Sequence, residues 1–378
     1  MNRKSSTVKR ILLLGAGGPP GINVIRSWRE APEPFYIVGT DMNPFHLEWV
    51  PADRVYLVPP VDHPEYLDAI AEIVERERID FIHAQPDVEV RVLSENRERF
   101  AARVFLPRKE TIRLLQDKQA SAERWREAGI HTFPTVPIET PEDLERAVEI
   151  IGLPLWLRAR EGAGARGATL VERIETGIHW VAYWRSRGVN WAFIAQPYFS
   201  GREFAWQSLW RDGKLIVSQG RQRIEYIYPH LAPSGRTGTS AVTVTVHDER
   251  VNEVATQCVR AVDPQATGVF SVDLMEDEHG NLFPTEINAG RFFTTTYFYT
   301  RAGCNMPYYM IRLAFDEPLP DLPPYNALPA GLYWIRHIDC PAVLVPHGAL
   351  RVQREPGLGR FDGMKRLREI EAMWRAPV

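Results

Sequence analysis

Short apolar runs alternate with amphipathic segments over the N-terminal part of the chain. Segment 22–28 and the segment that follows Pro64 carry apolar residues at helical spacing. Apolar runs with the length of buried strands occur at 11–14, 36–41, 81–84 and 104–106. Because alternating strands and helices build a parallel sheet covered on both faces, we predict a Rossmann-like α/β domain over residues 1–108.

The pattern changes after this domain, first to helices and then to antiparallel strands. Thr140 is a favourable helix cap and Gly152 a favourable stop for one of the helices. Helices are predicted over 110–116, 118–128, 141–151 and 251–262. Strands are predicted over 155–158, 168–171, 191–198, 203–210, 269–275 and 282–288, with one or two more over 215–228. This second region is therefore expected to be α+β.

Composition and charge limit the classes of protein to be considered. The chain has 378 residues, enough for two or three domains, and its formal net charge of −3 does not favour nucleic acid as a partner. The apolar run at 11–14 is too short for a signal peptide or a membrane span. Three scattered cysteines without metal-site spacing favour reduced thiols and a cytoplasmic location.

The predicted hairpin over 269–288 gathers polar side chains on one face. With its turn centred between His279 and Gly280, Asp273 faces Glu286 at about 5 Å, and Asn288 lies on the same face. Two adjacent carboxylates repel each other unless a cation lies between them. Since Mg²⁺ prefers oxygen ligands and keeps phosphate and water in its shell, this trio suits Mg²⁺–nucleotide binding, and Mn²⁺ is an alternative ion. The other interpretation is a solvated polar face without a metal.

The segment Pro-Thr-Glu-Ile-Asn at 284–288 resembles the Glu-x-Asn signature of ATP-grasp enzymes. The resemblance implies that Asp273 is the first metal acid, that Glu286 bridges two magnesium ions and that Asn288 is the amide ligand. In relatives similar to carbamoyl phosphate synthetase, an arginine follows the asparagine by two residues. Here Arg291 follows by three, so its role as a phosphate or carboxylate clamp depends on a shifted position.

A glycine-rich loop follows the predicted strand over 155–158. Period 2 places Trp156, Arg158 and Arg160 on one face, and the glycines allow backbone N–H groups to close over phosphates. The loop contains a G-x-G-x-x-G pattern, but a strand follows it, so it is not a Rossmann fingerprint. It resembles the phosphate-covering loop of the ATP-grasp small domain. The resemblance implies phosphate-binding roles for Lys118, Arg158, Gly162, Gly164 and Gly167; for the two basic residues, surface solvation is the alternative.

Segment 193–204 resembles the connection between the two ATP-grasp subdomains, where family members hold adenine and the ribose hydroxyls. The resemblance implies that Gln196 lies at the adenine edge, that Pro197 and Tyr198 form an apolar slot, and that Glu203 binds the ribose. A plain strand and turn is the alternative.

Further glycines and arginines leave their roles open. The turn at 15–18 suggests a dinucleotide site with Asp41 as the ribose acid, although the two prolines that follow spoil the spacing. It also resembles the nucleotide-like first domain that precedes ATP-grasp modules and is often empty. Arg221, Arg223 and Arg236 either bind a substrate carboxylate or lie on the surface.

The resemblance covers residues 8–316 and implies four parts. These are a pre-ATP-grasp domain (1–108), a small lobe with the glycine-rich loop (109–195), a C-terminal lobe with the metal site (196–316) and an extension of unknown role (317–378). The implied enzyme is an ATP-dependent carboxylate–amine ligase that forms an acyl phosphate from a small carboxylate or bicarbonate and couples it to an amine. It would use ATP and Mg²⁺ and form a homodimer. The rivals are a nucleotide-binding ATP-grasp protein without turnover and an NAD-dependent oxidoreductase built on residues 11–41.

Overall fold

The computed structural model describes residues 8–162, 165, 167–232, 236–337, 350–354, 357–359 and 361–375, with 370–375 given by their backbone alone. Two compact units share this part of the chain. The first comprises the described residues of 1–106, 290–320 and 338–378, and the second comprises those of 107–289 and 321–337. Within the described residues, no helix combines the length and the apolar composition that crossing a membrane requires.

The helices and strands follow one another along the chain in a mixed order. The strands are β1 (Lys9–Leu14), β2 (Phe35–Asp41), β3 (Arg54–Leu57), β4 (Phe81–Ala84), β5 (Arg103–Val104), β6 (Val136–Ile138), β7 (Leu155–Ala159), β8 (Thr169–Val171), β9 (Phe193–Pro197), β10 (Glu203–Arg211), β11 (Lys214–Tyr226), β12 (Ser240–Val246), β13 (Gly268–Glu276), β14 (Leu282–Ala289) and β15 (Tyr333–Ile335). The helices are α1 (Pro19–Arg29), α2 (Tyr66–Arg76), α3 (Asp87–Glu95), α4 (Lys109–Gln116), α5 (Lys118–Glu127), α6 (Pro141–Ile151), α7 (Ile174–Ser186), α8 (Glu249–Val262), α9 (Thr296–Arg301), α10 (Met306–Ala314), α11 (Arg351–Arg354) and α12 (Gly363–Arg375).

The first unit contains the parallel sheet that the alternating pattern predicts. Its five strands lie in the order β3-β2-β1-β4-β5, and the apolar side chains of β1 from Ile11 to Leu14 are at most 1% exposed. Strand β3 and helix α3 are not predicted by the sequence pattern. Strand β3 has only four residues and pairs with β2 alone, so neighbouring backbone, more than its own composition, makes it a strand.

The second unit contains two antiparallel sheets. A four-stranded sheet has the order β6-β9-β7-β8, and helices α6 and α7 pack on it through a core that includes Leu144, Leu157 and Phe193. A six-stranded sheet has the order β14-β13-β10-β11-β12-β15. The mixture of one parallel and two antiparallel sheets confirms the α/β and α+β fold class.

The structure corrects the sequence interpretation at several elements of the second unit. Of the one or two strands predicted over 215–228, the structure has one long strand, β11, which pairs with β12. Strand β15, from the predicted extension, pairs with β12 and extends the six-stranded sheet. Helix α7 is missed because its aromatic residues do not follow a clear helical period, although the helix packs on β8.

The capping box at Thr140 fixes the start of α6. The Thr140 side chain accepts a hydrogen bond from the Asp143 backbone N–H, and the Asp143 carboxylate accepts one in return from the Thr140 N–H. We expect Thr140→Ala to destabilise the protein by about 1 kcal/mol, because the variant lacks the hydroxyl that accepts the bond from the Asp143 N–H. Urea unfolding measures the effect, and Thr140→Ser is the control that keeps the cap. Equal stability of the Ala and Ser variants would contradict this account.

Candidate active site

A cavity in the second unit is lined by residues from both of its sheets. Among the residues predicted from sequence, the lining includes Lys118, Arg158, Gly162, Gln196, Tyr198, Glu203, Asp273 and Glu286. These residues come from β7, β9, β10, β13, β14, the start of α5 and the glycine-rich loop. The antiparallel pairings of the two sheets therefore bring together side chains that are far apart in sequence.

The hairpin of β13 and β14 has the cross-strand register that the sequence predicts. Asp273 lies opposite Glu286, and Ser271 lies opposite Asn288. The Asn288 Nδ2 atom lies 3.4 Å from a carboxylate oxygen of Asp273 and 3.4 Å from one of Glu286. The three predicted metal ligands therefore converge on one point.

A bulge in the hairpin adds a contact that the sequence does not reveal. The register shifts beyond Asp273, so that Leu274 lies opposite Pro284 and Thr285 is an extra residue. The Thr285 carbonyl accepts a hydrogen bond of 2.9 Å from Arg158 Nη2. The bulge thus ties the basic residue of β7 to the strand that carries the acids.

Two cations face the acidic hairpin. The Lys118 Nζ atom lies 3.5 Å from Glu286 Oε2, and Arg158 Nη1 lies 3.8 Å from the same oxygen. Burial lowers the pKa of Arg158, and the charges of Glu286 and Asp273 act in the opposite direction. Lys118 is only 8% exposed, so the surface alternative does not apply to it. Their positive charges are held inside the cavity, where an anionic ligand would meet them.

Arg223 connects two of the predicted acids. Its Nη2 atom donates a 2.6 Å hydrogen bond to Asp273 Oδ1, and its Nη1 atom lies 3.6 Å from Glu203 Oε2. Burial lowers the pKa of this guanidinium. The charges of Asp273, Tyr226 and Glu203 raise it by more, so the pKa is raised overall. Tyr226 donates its hydroxyl to Glu203, and burial together with Glu203 raises the pKa of that hydroxyl to about 12.

Aromatic rings and one guanidinium line another part of the cavity. Arg236 lies over the rings of Trp156 and Tyr198, at 5.3 and 5.0 Å from their centroids. Its Nε atom also lies 3.1 Å from Glu203 Oε1. The buried Gln196 lies nearby in sequence and donates a 2.9 Å hydrogen bond to the Thr135 hydroxyl. Rings, amide and acid together offer stacking and hydrogen bonds to a flat polar ligand.

The described part of the glycine-rich loop requires glycine conformations. Gly162 and Gly167 have positive φ values of 95° and 60°. The Gly162 carbonyl accepts a 2.6 Å hydrogen bond from Lys118, whereas Gly167 packs beside Trp191 and Phe193 and is not part of the cavity lining. Gly164 lies outside the described residues.

Asp117 anchors the start of α5 to strand β7. Its carboxylate accepts hydrogen bonds from the backbone N–H groups of Gln119 and Ala120, and it forms an ion pair with Arg160 whose Nε–Oδ1 distance is 2.8 Å. The pKa of Asp117 is lowered: burial raises it, but the bonds from Arg160 and from the helix start outweigh burial. This contact holds the backbone that presents Lys118.

Comparisons with known proteins identify the fold. A family model described as the PylC-like, N-terminal domain matches residues 11–105. Pyruvate carboxylase 1 of Caenorhabditis elegans is 26% identical over 334 residues, which are 81% of this chain and 27% of that protein. A D-alanine–D-alanine ligase of a Psychrobacter species is 23% identical over 176 residues, which are 46% of this chain and 52% of the ligase. The chain therefore spans only 27% and 52% of the length of these two relatives.

Solved structures match most of the chain. The N5-carboxyaminoimidazole synthetase of Staphylococcus aureus, solved with ADP, has a TM-score of 0.64 at 17% identity and covers 83% of this chain and 79% of its own. The chain has the ATP-grasp fold. The biotin carboxylase domain of the Hydrogenobacter thermophilus 2-oxoglutarate carboxylase, a dimer solved with MgADP and bicarbonate, also has a TM-score of 0.64, at 19% identity over 83% of this chain and 71% of its own. These likenesses confirm the predicted ATP-grasp fold.

Like Gly167 and Asn288, Arg291 is a predicted site residue that is not part of the cavity lining. It belongs to the first unit, where its guanidinium forms an ion pair with Asp87. Its role as a clamp therefore stays a prediction. The sequence interpretation left the functions of Arg223 and Arg236 open and did not name Tyr226 at all. The alternation of basic residues along 221–223 was the one signal that pointed to this strand.

The glycine-rich turn before α1 is surrounded by acids. The Gly17 backbone N–H donates a 3.1 Å hydrogen bond to Asp41 Oδ2, so Asp41 uses the turn itself as a partner. A Glu89 carboxylate oxygen would lie 2.6 Å from a Cβ placed on Gly15. Burial, together with the charge of Asp41, raises the pKa of Glu89 to about 8. Because Asp41 already accepts the Gly17 N–H, a donor that a pyrophosphate would need, the geometry does not favour the NAD-dependent interpretation.

The lowered pKa of Asp117 predicts an acid-dependent loss of stability. A carboxylate whose pKa is depressed by folding stabilises the protein above its unfolded pKa of about 3.9, and the contribution is lost as the pH falls through the lower, folded value. We expect Asp117→Asn, which keeps the helix cap, to unfold with a shallower dependence on pH below about 4. Acid titration followed by circular dichroism measures this slope. Identical slopes for the two proteins would rule out a charge-dependent role for the Asp117–Arg160 pair.

Proposed function

We propose that this chain is an ATP-dependent carboxylate–amine ligase. It phosphorylates a small carboxylate, or bicarbonate, with ATP to form an acyl phosphate, and it couples that acyl group to an amine with release of ADP and phosphate. The observation that carries the proposal is the acidic face of the β13–β14 hairpin, with Asp273, Glu286 and Asn288 converging opposite the buried cations Lys118 and Arg158.

The donor set fits a magnesium–nucleotide complex. Among the described residues, no cluster of three or more His, Cys, Asp or Glu side chains could hold a metal by itself. Mg²⁺ usually takes one or two carboxylates and completes its octahedron with phosphate and water, so Asp273 and Glu286 with the Asn288 amide are sufficient. The Asn288 Nδ2 atom faces the two carboxylates because it donates hydrogen bonds to them. Rotation of the amide group by half a turn would present its oxygen to the metal instead. When bound, the ion neutralises phosphate charge.

The chain's own residues position the nucleotide and the transferred group. Lys118 and Arg158 place positive charge where the phosphates pass, and the backbone at Gly162 lies beside Lys118. Phosphoryl transfer needs little covalent chemistry from the protein, so positioning and charge neutralisation supply the catalysis. Gln196 and Glu203 supply polar contacts for the base and the ribose, beside the ring of Tyr198.

Further features of the proposal concern the molecule as a whole. We propose the four-part division at residues 108, 195 and 316, a homodimer, and a cytoplasmic location. The location is supported by Cys258 and Cys304, which are free and buried, and burial raises the pKa of Cys304 to about 12. Such thiols are inert and need no oxidising compartment.

Replacing Glu286 by Gln tests the ligase proposal directly. The substitution keeps the size of the side chain but removes the charge that would face the metal, so kcat for ATP-dependent phosphate release should fall by about 100-fold or more. A screen with amino acids, other small carboxylates, bicarbonate and amines supplies the substrates. Glu278→Gln is the matched control, because Glu278 lies in the turn of the same hairpin with its side chain 85% exposed. Wild-type turnover by Glu286→Gln would refute the metal assignment.

Cofactor-dependent thermal stability separates the proposed enzyme from its rivals. A ligand that binds only the folded state raises Tm, by an amount that grows with its concentration over Kd. We expect ATP with Mg²⁺ to raise Tm, whereas NAD should leave it unchanged. Stabilisation by ATP without phosphate release from any substrate pair would favour the nucleotide-binding protein without turnover. Stabilisation by NAD alone would favour the oxidoreductase.

A further inference from the structure

Arg223 lies where a metal ion and a buried arginine would compete for one carboxylate. On the six-stranded sheet, Glu203 and Ala205 of β10 lie between β11, which carries Arg223, and β13, which carries Asp273. The Arg223 side chain crosses the face of β10 to reach Asp273 Oδ1 at 2.6 Å. The small side chain of Ala205 leaves room on this face.

We propose that Arg223 is an internal counter-ion of the metal site, which neutralises Asp273 before Mg²⁺ binds and then contacts the nucleotide phosphates. The inference rests on the proposed function, because it assumes that Asp273 is a metal ligand. It adds a positioning role for a residue whose function the sequence left open.

The argument for displacement is electrostatic. Arg223 and Asp273 are both largely buried, with side chains 17% and 8% exposed. A divalent ion bound to Asp273 would lie a few ångströms from the Arg223 guanidinium. Both are positively charged, and inside the protein their repulsion is strong. The guanidinium therefore has to give up its 2.6 Å contact when the metal arrives.

The same burial determines where the guanidinium goes. A buried charge that loses its partner is strongly destabilising, so Arg223 needs another anion within the cavity that it lines. Its second acid, Glu203, already accepts the Tyr226 hydroxyl and pairs with Arg236. Glu286 of the same cavity faces Lys118 and Arg158 and is itself a proposed metal ligand. The phosphates of the nucleotide are therefore the anions to which Arg223 can turn, and arginine binds phosphate through its planar set of donors.

Two binding measurements on the full-length protein test the proposal. Mn²⁺ binding without nucleotide, followed by electron paramagnetic resonance, reports the competition for Asp273. ADP binding in the presence of EDTA, followed by calorimetry, reports the contact with phosphate. Arg223→Gln is the main variant, because the amide can still donate to Asp273 and so preserves the fold. Circular dichroism and thermal unfolding verify the fold.

The proposal predicts opposite shifts in the two affinities. Arg223→Gln should bind Mn²⁺ about tenfold more tightly than the wild type, because the guanidinium no longer competes for Asp273. The same variant should bind metal-free ADP about tenfold more weakly, because a phosphate contact is lost. Arg223→Lys keeps the charge and should stay close to the wild type in Mn²⁺ affinity. A merely structural role would weaken both ligands together.

Arg202→Met is the matched control for loss of one positive charge. Arg202 precedes Glu203 but forms its ion pair with Glu276, outside the cavity lining, and should leave Mn²⁺ affinity unchanged. If Arg223→Gln binds Mn²⁺ no more tightly than the wild type, or binds metal-free ADP equally well, the counter-ion role is wrong while the ligase proposal stands. If the wild type binds neither Mn²⁺ nor ADP, the proposed function itself fails.

Discussion

The balance of buried charge on the six-stranded sheet is the constraint on which the site depends. Asp273 and Glu286 lie opposite each other on adjacent strands, a pairing that would be unfavourable without cations. Arg223 meets the first acid, and Lys118 with Arg158 meets the second. The sheet can therefore hold two carboxylates opposite each other in a largely buried place. Such a site suits a ligand that consists of a metal cation and a phosphate group.

The two sheets of the second unit contribute different residues to the site. The six-stranded sheet supplies the acids, whereas the four-stranded sheet supplies Arg158 and the residues of β9. The link between Arg158 and the Thr285 carbonyl joins the two sheets through the bulge in the hairpin. Because a bulge frees a backbone carbonyl from the strand ladder, a local irregularity supplies a contact that regular pairing would not.

The ATP-grasp fold and the arrangement of this site agree. The solved structures, at 17% and 19% identity, establish the architecture. The chemistry rests on the side chains of this chain. The first unit contributes a separate observation, since the Gly17 N–H of its glycine-rich turn already donates to Asp41 and is not available to a pyrophosphate. A glycine-rich turn of this kind therefore does not by itself determine which ligand the turn binds.

Local rules determined much of this protein from its sequence alone. Alternation along β13 and β14 predicted the pairing of Asp273 with Glu286, because register follows from the turn and from which face is apolar. The cap at Thr140 predicted the start of α6 for a similar, local reason. Resemblance to a known signature then supplied the proposed metal and nucleotide roles of the individual residues.

Only the tertiary structure decided which arginine meets which acid. Arg223 reaches Asp273 across an intervening strand, and Tyr226 and Arg236 meet at Glu203 although the three are separated in sequence. The sequence interpretation did not name strand β12, which pairs with β11. Contacts across a sheet depend on strand order and on the direction of long side chains, and neither is encoded within a short window of sequence.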